Sequence, residues 1–197
     1  MSARVTIKKE DLVKGAVKII RNKGIEELSA RNLAKVCGCS TQPIFRIFEN
    51  MEDLKNTVYN DIYEIQNKYL SNGEEHQVPF IGIGLSYIDF ATKEKNLFKF
   101  LFMSSNSKYN NILAMAENEQ GKEYTEIIEK STGLSHESSK QIYINTWLII
   151  HGIASMMATT NSELSSSEIE TIIFDAFKGY RQVLMNKELN NKYKKTS

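Results

Sequence analysis

The sequence predicts an all-α fold. Pro43 and Pro79 are the only prolines in 197 residues, so long segments lack the residue that breaks helices. Apolar residues recur at spacings of three and four rather than two, which is the period of a helix with one buried face. Hydrophobic residues make up 41% and charged residues 25%, an ordinary globular composition that argues against a disordered or fibrous chain. The length suits one large domain or two small ones, each with a buried core.

Three helices are expected in the first fifty residues. The first spans residues 9–23 and stops at Gly24, with an apolar stripe formed by Leu12, Ala16, Ile19 and Ile20. A second, short helix is expected between a Ser29 cap and Gly38. Ser40 is expected to cap a third helix, with Pro43 in its first turn, where a missing N–H costs nothing. The residues of this helix expected to face inward are Ile44, Ile47 and Phe48.

Residues 29–48 therefore combine a helix, a tight glycine-containing turn and a second short helix, the pattern of a helix-turn-helix. Residues 1–50 hold ten Lys and Arg against five acidic residues, whereas the rest of the chain holds 15 against 19. A solvated charged face would account for the basic charge taken alone. The motif and the charge together predict that this segment binds an anion, with the second helix of the motif in a DNA major groove.

Long helices are expected after the motif. Residues 52–70 predict one amphipathic helix, because Leu54, Val58, Ile62, Ile65 and Tyr69 share a face. The polar stretch at residues 72–77 predicts a loop, and Pro79 restarts order. Residues 80–103 read as phenylalanine-rich helices, and residues 109–131 as a more polar helical segment with a break at Gly121.

The last two predicted helices are strongly apolar. Residues 137–160 carry apolar side chains nearly all round, and residues 167–186 carry a second strong stripe. Two such helices can pair with their copies across a two-fold axis and form a four-helix dimer interface. The expected interface residues are Ile149, Ile153, Met156, Ile173, Phe177 and Tyr180. The alternative is that both stripes belong to the chain's own core.

Several segments, in this order, resemble the DNA-binding domain of TetR-family transcriptional regulators over about residues 7–60. They are Gly24, Leu28–Ala34, Cys37–Ser40, Phe45–Phe48 and Glu52–Leu54. The resemblance implies a three-helix DNA-binding domain, placed at residues 1–50, and a helical domain at residues 51–197 that dimerises and binds a small effector. It implies a homodimer on a palindromic operator in double-stranded DNA, most simply as a repressor that the effector releases.

The resemblance also implies which residues contact DNA. Thr41, Gln42 and Arg46 are the expected base readers, because Gln pairs with adenine and Arg with guanine. The other expected contacts, to phosphates or the groove wall, are Lys8, Lys9, Ser29, Arg31, Ser40, Pro43, Phe45 and Lys55. For Pro43 the alternative is a helix-start proline, for Phe45 a core position, and for the base readers a solvated helix face.

Three positions depart from the family pattern. Phe45 stands where the family commonly has a tyrosine that reaches a phosphate, Met51 where it commonly has lysine, and Ile47 where it often has histidine. Missing charge contacts would weaken the dependence of DNA binding on salt. These departures motivate an alternative, a TetR-like scaffold that has lost DNA binding and acts as a ligand- or partner-binding dimer.

The run from Trp147 to Gly152 resembles, more weakly, a signature of some TetR-like effector domains. The effector pocket is expected to have aromatic walls and one polar handle, and the effector to be hydrophobic. Its expected residues are Tyr63, Phe98, Phe102, Trp147 and His151. The alternative for His151 is a satisfied core or interface histidine.

Other classes of function receive little support. The three histidines lie far apart, and the sequence has no metalloprotease, nucleophile-elbow or phosphate-loop motif, so we expect no catalysis, no metal and no cofactor. Cys37 and Cys39 are too close for an ordinary disulfide and lack the other ligands of a zinc site. No segment reads as a membrane span or a secretory signal, so we expect a cytoplasmic protein.

Overall fold

The structure is a computed structural model that describes residues 7–104, 117–160 and 162–196. Within these ranges the chain forms nine α-helices and one short 3₁₀ helix and contains no strand, so the predicted all-α class is confirmed. The helices are α1 Lys9–Lys23, α2 Ala30–Cys37, α3 Gln42–Ile47, α4 Met51–Ser71, α5 Pro79–Lys93, α6 Lys95–Phe102, α7 Glu119–Thr132, α8 His136–Thr159 and α9 Ser166–Thr196, with the 3₁₀ helix at Ile25–Glu27.

The chain divides into two compact units. The N-terminal unit comprises residues 1–68 and 93–108, and the C-terminal unit comprises residues 69–92 and 109–197. The N-terminal unit thus contains α1 to α3, most of α4, and α6. The boundary that the sequence analysis drew between residues 50 and 51 concerns function and stays a prediction.

Helix α1 lies at the centre of the N-terminal unit and has the predicted bounds. Leu12 and Ile20 are completely buried, and Gly24 ends the helix at φ +91° with its N–H donating to the Ile20 carbonyl at 2.8 Å. The helix approaches α2 closely at Gly15, where a Cβ would lie 2.6 Å from Cys37 Sγ. It is tied to α6 by the Arg21–Glu94 ion pair at 2.9 Å. These contacts fix the position of α1, the helix that supports α2 and α3.

Helix α5 begins the C-terminal unit after a tightly packed loop. Pro79 starts the helix, as predicted, and the backbones of Gly73 and Gly82 approach so closely that a Cβ on either would overlap the other's carbonyl. Along α5, a Cβ at Gly84 would lie 2.6 Å from Ile150 Cδ1 of α8. Glycine at these positions therefore lets the loop and α8 pack directly against the α5 backbone.

The structure of α7 shows that the predicted helix break at Gly121 is wrong. Gly121 does not break the helix; it lies in the first turn, where its N–H donates to the Asn118 side-chain oxygen at 2.7 Å. The helix begins at Glu119 because the Asn118 side chain caps it. The part of the predicted segment at residues 109–116 lies outside the described residues.

Helices α8 and α9 complete the C-terminal unit. On α8 the buried side chains include Ile142, Tyr143, Thr146 and Ile150, and on α9 they include Ile169, Ile173, Phe177 and Leu184. An aromatic cluster joins α5, α7, α8 and α9: Phe80 lies 5.9 Å from Tyr143 and 6.0 Å from Phe177 between ring centroids, and Tyr124 lies 5.9 Å from Tyr143. The core of this unit is therefore aromatic at its centre.

Helix α8 contains an 18-residue window that is long and apolar enough to cross a membrane, by length and composition alone. The sequence predicted no membrane span, because polar residues interrupt its longest apolar runs. Those residues carry no formal charge between Gln141 and Thr159, so the mean hydropathy stays high. A core helix passes the same test, and 39% of this window is buried inside the protein.

Candidate nucleic-acid interface

The helix-turn-helix is built as the sequence predicts up to the turn. Ser29 has extended backbone, and its Oγ accepts a hydrogen bond from the Asn32 N–H at 3.2 Å, which caps α2. Gly38 ends α2 in the left-handed region at φ +65° and ψ +32°, a conformation that side chains other than glycine disfavour. The Cys39 N–H then donates to the Ala34 carbonyl at 2.9 Å. This glycine turn redirects the chain from α2 into α3.

The predicted cap of α3 is wrong. The helix begins at Gln42, and the residue before it, Thr41, already has helical angles, φ −72° and ψ −18°. A capping hydroxyl needs extended backbone to fold back onto the N–H groups of the first turn, so no side-chain cap forms here. Ser40 lies in the turn segment between α2 and α3 and is exposed. Pro43 lies within the first turn, as predicted.

The two faces of α3 differ sharply in exposure. Ile44 and the following Phe48 are 0% and 1% exposed and anchor the helix in the core. Gln42 and Arg46 are exposed on the other side, and Phe45 beside them is 51% exposed. The exposure of Phe45 excludes the alternative that it is a core residue. The outward face of this short helix thus carries an amide, an aromatic ring and a guanidinium group.

The other residues expected at DNA are distributed around α3 in the N-terminal unit. Ser29, Arg31, Ser40 and Thr41 are exposed, and Pro43 is half-buried. The bond that Ser29 Oγ accepts does not use its hydroxyl proton, which leaves a donor of the kind that phosphates bind. Neutral hydroxyls and an exposed guanidinium around a helix N-terminus are suited to the DNA backbone.

Two lysines stand at the start of α1. Lys8 precedes the helix, is exposed, and donates its backbone N–H to Asp11 Oδ2 at 3.1 Å. The Lys9 ammonium lies 5.4 Å from the centroid of the Phe48 ring, a cation–π contact that holds it near the end of α3. The two lysines therefore place positive charge beside the helix-turn-helix.

The start of α4 is less favourable to an anion. Asn50 Oδ1 accepts hydrogen bonds from the Glu52 and Asp53 N–H groups, both at 2.9 Å, so an amide side chain already occupies the helix N-terminus. Met51 is half-buried, and Lys55 Nζ lies 3.3 Å from Glu52 Oε2. The two carboxylates offset the helix dipole at this point, and the charge of Lys55 is partly compensated.

Sequence reasoning missed a charged groove between α1 and α4. It has a volume of about 760 Å³, and Val17 and Ile65 form its apolar part. Its polar lining residues are Lys14, Lys18, Arg21, Asn22, Asp61, Glu64 and Lys68. The signal in the sequence was a row of basic residues on α1. Lys14, Lys18 and Arg21 follow one another at spacings of four and three, which place them on one face of the helix.

The two cysteines flank the turn as free thiols. Burial, followed by the nearby Cys39 and Asp11, raises the pKa of the Cys37 thiol. A thiol with a raised pKa is mostly protonated at neutral pH and is a poor nucleophile and metal ligand. No group of three or more possible metal ligands lies together within the described ranges of the chain.

The residues predicted to form the effector pocket fall into both units. In the C-terminal unit Trp147 stacks on His151 with ring centroids 4.7 Å apart, and the Tyr87 hydroxyl lies 2.9 Å from His151 Nδ1. Burial lowers the pKa of His151, so the neutral imidazole is favoured. In the N-terminal unit Phe98 lies 5.0 Å from Phe102 between ring centroids. Tyr63 in that unit stacks on Tyr59, so the pocket as a whole stays a prediction.

Sequence reasoning also missed three buried polar residues. Gln66 is 3% exposed, Ser139 and Thr146 are 0% exposed, and a side-chain oxygen of each makes no hydrogen bond. The available signal was a polar residue inside an apolar stripe, four residues after Ile62 for Gln66 and four after Ile142 for Thr146.

Among solved structures, the chain is similar to the crystal structure of a candidate TetR-family transcriptional regulator from Mesorhizobium loti MAFF303099. The TM-score is 0.58 at 16% sequence identity, and the match covers 89% of this chain and 95% of that one. No protein-family model matches the sequence. No curated protein matches it either. At this identity the likeness shows the fold, and the TetR-like fold expected from the sequence is confirmed.

Proposed function

We propose that this chain is a cytoplasmic, sequence-specific DNA-binding transcriptional regulator that acts as a homodimer. The observation that supports it best is the division of α3, which buries Ile44 and exposes Gln42 and Arg46 behind a glycine turn. A rigidly anchored short helix with an exposed amide and guanidinium is what major-groove reading requires. The basic charge of the first fifty residues supplies attraction to phosphates.

Exposed apolar faces on α8 and α9 support the dimer. Leu148 is 42% exposed and Met156 57% exposed on either side of Gly152, where a Cβ would meet open space. On α9, Ile172 is 41% exposed and Val183 64% exposed on either side of Gly179, which is equally open. Small residues between apolar ones allow two helices to approach closely, as in a four-helix interface.

The dimer proposal changes the set of interface residues. Ile173 and Phe177 are 0% and 7% exposed within the single chain, so the alternative of an intramolecular core describes these two. Tyr180 is half-buried, as are Ile149 and Ile153 on α8. We therefore keep Ile149, Ile153, Met156 and Tyr180 in the proposed interface, and add Leu148, Ile172 and Val183. Val183→Glu should convert the dimer to a monomer in analytical ultracentrifugation, whereas Lys130→Glu, on exposed α7 surface, should leave the dimer intact.

We also propose that effector binding is coupled to DNA binding. A repressor is released only if the effector binds the DNA-incompetent state more tightly than the DNA-bound state. We propose a hydrophobic effector in the helical domain, with the residue 51–71 helix transmitting the change to the DNA-binding domain. Equal effector affinity in the presence and absence of operator would contradict this coupling.

Selection of bound duplexes from a randomised pool at near-physiological salt tests the DNA-binding proposal. The wild type should enrich a palindromic motif, and a Gln42→Ala/Arg46→Ala double variant should lose it. Lys130→Ala removes a charge from a residue 79% exposed at its side chain in the C-terminal unit and should select the same motif as wild type. Loss of the motif in this control would mean that the selection reports charge rather than base reading.

A second candidate function is a dimeric scaffold that has lost DNA binding. The start of α4 favours it, because Asn50 caps the helix, two carboxylates follow, and Lys55 is paired with Glu52. A folded, dimeric wild type that enriches no duplex would support this candidate against the first.

A further inference from the structure

The groove between α1 and α4 is formed by one face of each helix. Its α1 wall lies within residues 14–22 and its α4 wall within residues 61–68, and all of these residues belong to the N-terminal unit. At the rise of an α-helix, each wall is about 11 Å long, or roughly two helical turns. Val17 and Ile65 lie midway along the two walls, so the centre of the groove is apolar.

The α1 wall of the groove is basic. Lys14, Lys18 and Arg21 are exposed there and form one row along the helix. Arg21 Nε donates to Glu94 Oε2 at 2.9 Å, so this guanidinium group already has an acidic partner. Within the described residues, Lys14 and Lys18 take part in no ion pair. Their two ammonium groups can therefore meet carboxylates of another molecule.

The α4 wall is acidic over its first turn and basic at its end. Asp61 and Glu64 are exposed there, and Lys68 follows one turn later. In the part of the chain that the structure describes, neither carboxylate takes part in an ion pair. The bases of α1 and the acids of α4 thus line the same groove without bridging it, which leaves both sets of charges open to a partner.

The lining disfavours a small apolar ligand and a nucleic acid. Small-molecule sites are lined mainly by hydrophobic side chains, whereas seven of these nine lining residues are polar. A phosphate backbone would be repelled by Asp61 and Glu64 on the α4 wall. An apolar centre with a charged rim is instead the pattern of a surface that binds a protein.

We propose that the α1–α4 groove binds an amphipathic helix of a protein partner whose charges complement the two walls. The apolar row of this helix packs on the centre of the groove, as helices do in grooves of two turns or more. Acidic side chains along one edge of the helix pair with Lys14 and Lys18. Basic side chains along the other edge pair with Asp61 and Glu64. Two turns of contact bury less area than a standard interface, so the complex is transient, with a micromolar Kd.

This interaction does not depend on DNA binding. None of the groove residues is among those expected to contact DNA, and Lys8 and Lys9 lie more than one turn before Lys14 on α1. A partner can therefore bind whether or not the chain binds DNA, and failure of either interaction leaves the other intact.

Selection of helical peptides against the full chain tests the groove. The probe is a phage-displayed library of single-helix peptides with a fixed leucine row and random residues along both edges. The wild type should enrich peptides with Asp or Glu on one edge and Lys or Arg on the other. A labelled synthetic copy should then bind with a micromolar Kd in fluorescence anisotropy. Enrichment of no sequence, or of sequences without this charge pattern, would overturn the proposal.

Charge reversals locate the peptide in the groove. Lys14→Glu/Lys18→Glu should weaken binding of the enriched peptide roughly tenfold, since each exposed ion pair contributes a few-fold and reversal adds repulsion. Lys23→Glu/Lys35→Glu makes the same change of charge on exposed residues of α1 and α2 outside the groove, and should bind as the wild type does. Equal losses in the two variants would show that the peptide responds to net charge alone, which would refute the site.

A change of specificity keeps the test decisive if a variant simply loses binding. Asp61→Lys/Glu64→Lys makes both walls basic, so it should bind a copy of the peptide with Glu on both edges roughly tenfold more tightly than the wild type does. Glu123→Lys/Glu163→Lys makes the same change of charge on exposed residues of the C-terminal unit and should show no such gain. With folding checked by circular dichroism, no gain in the groove variant, or an equal gain in the control, would overturn the proposal.

Discussion

Phe45→Tyr tests whether the outward face of α3 meets a phosphate. The change adds one hydroxyl to a ring that is 51% exposed, so the new group is solvated in the unbound protein. Exposed substitutions of this kind usually change the free energy of unfolding by less than about 0.5 kcal/mol. In the DNA complex proposed from the resemblance to TetR-family regulators, this position lies within reach of a phosphate.

The expected gain in affinity follows from one hydrogen bond. A bond to a charged acceptor contributes about 1.5–3 kcal/mol, and the lower end applies because the contact is open to solvent. The Kd for the selected duplex should therefore fall roughly tenfold. The slope of log Kd against log salt concentration should not change, because a neutral phenol releases no counterion.

Anisotropy titrations of a labelled duplex at several salt concentrations measure both quantities. Phe45→Leu is the control, since it removes the ring without adding a donor and should not tighten binding. An affinity rise below twofold in a Phe45→Tyr protein of unchanged stability would refute the placement of this residue at a phosphate. A rise with a changed salt slope would show that the gain has another cause.

Three further predictions concern charge, base reading and packing. Met51→Lys should tighten DNA binding and steepen the salt slope by about 0.9, measured in the same titrations, unless the neighbouring carboxylates capture the new charge. Arg46→Ala should relax the base preference at one position of the selected motif, whereas Lys8→Ala should weaken binding to all duplexes alike. Equal losses of affinity for specific and random DNA in Arg46→Ala would show that Arg46 contacts a phosphate rather than a base. Gly82→Ala should destabilise by about 1–3 kcal/mol in urea unfolding, because its Cβ overlaps backbone, and Gly152→Ala in a monomeric background should stabilise by up to about 1 kcal/mol; the same sign for both would contradict the packing.

Local signals made much of the N-terminal unit predictable. The Ser29 cap, the Gly24 and Gly38 stops and the stripe through Leu12 and Ile20 depend on residues within one or two turns of each other. The interactions of such neighbours are set by helix geometry, so their spacing in the sequence is enough. The prediction that Ser40 caps α3 was wrong because Thr41, the residue before the helix, already has helical backbone angles, which the preceding turn sets.

Partners distant in sequence were not predictable in this way. The sequence placed Ile173 and Phe177 in a strong stripe, yet a stripe does not state whether its own chain or a second copy covers it. Phe177 is covered by its own chain, because the Phe80 ring on α5 lies 6.0 Å from the Phe177 ring between centroids. The proposed dimer surface therefore uses exposed neighbouring positions on the same helix.

The sequence by itself determined the all-α class, the helix-turn-helix and the basic charge around it, because periodicity, caps and composition act over short range. Only the tertiary structure decided which apolar faces remain exposed and which polar groups lack partners. In the sequence, Thr146 is a threonine within an apolar stripe. Only the packing of α5, α7 and α9 against α8 shows that its hydroxyl is buried without a hydrogen-bond partner. Burial is a property of all the elements that pack together, so no single helix encodes it.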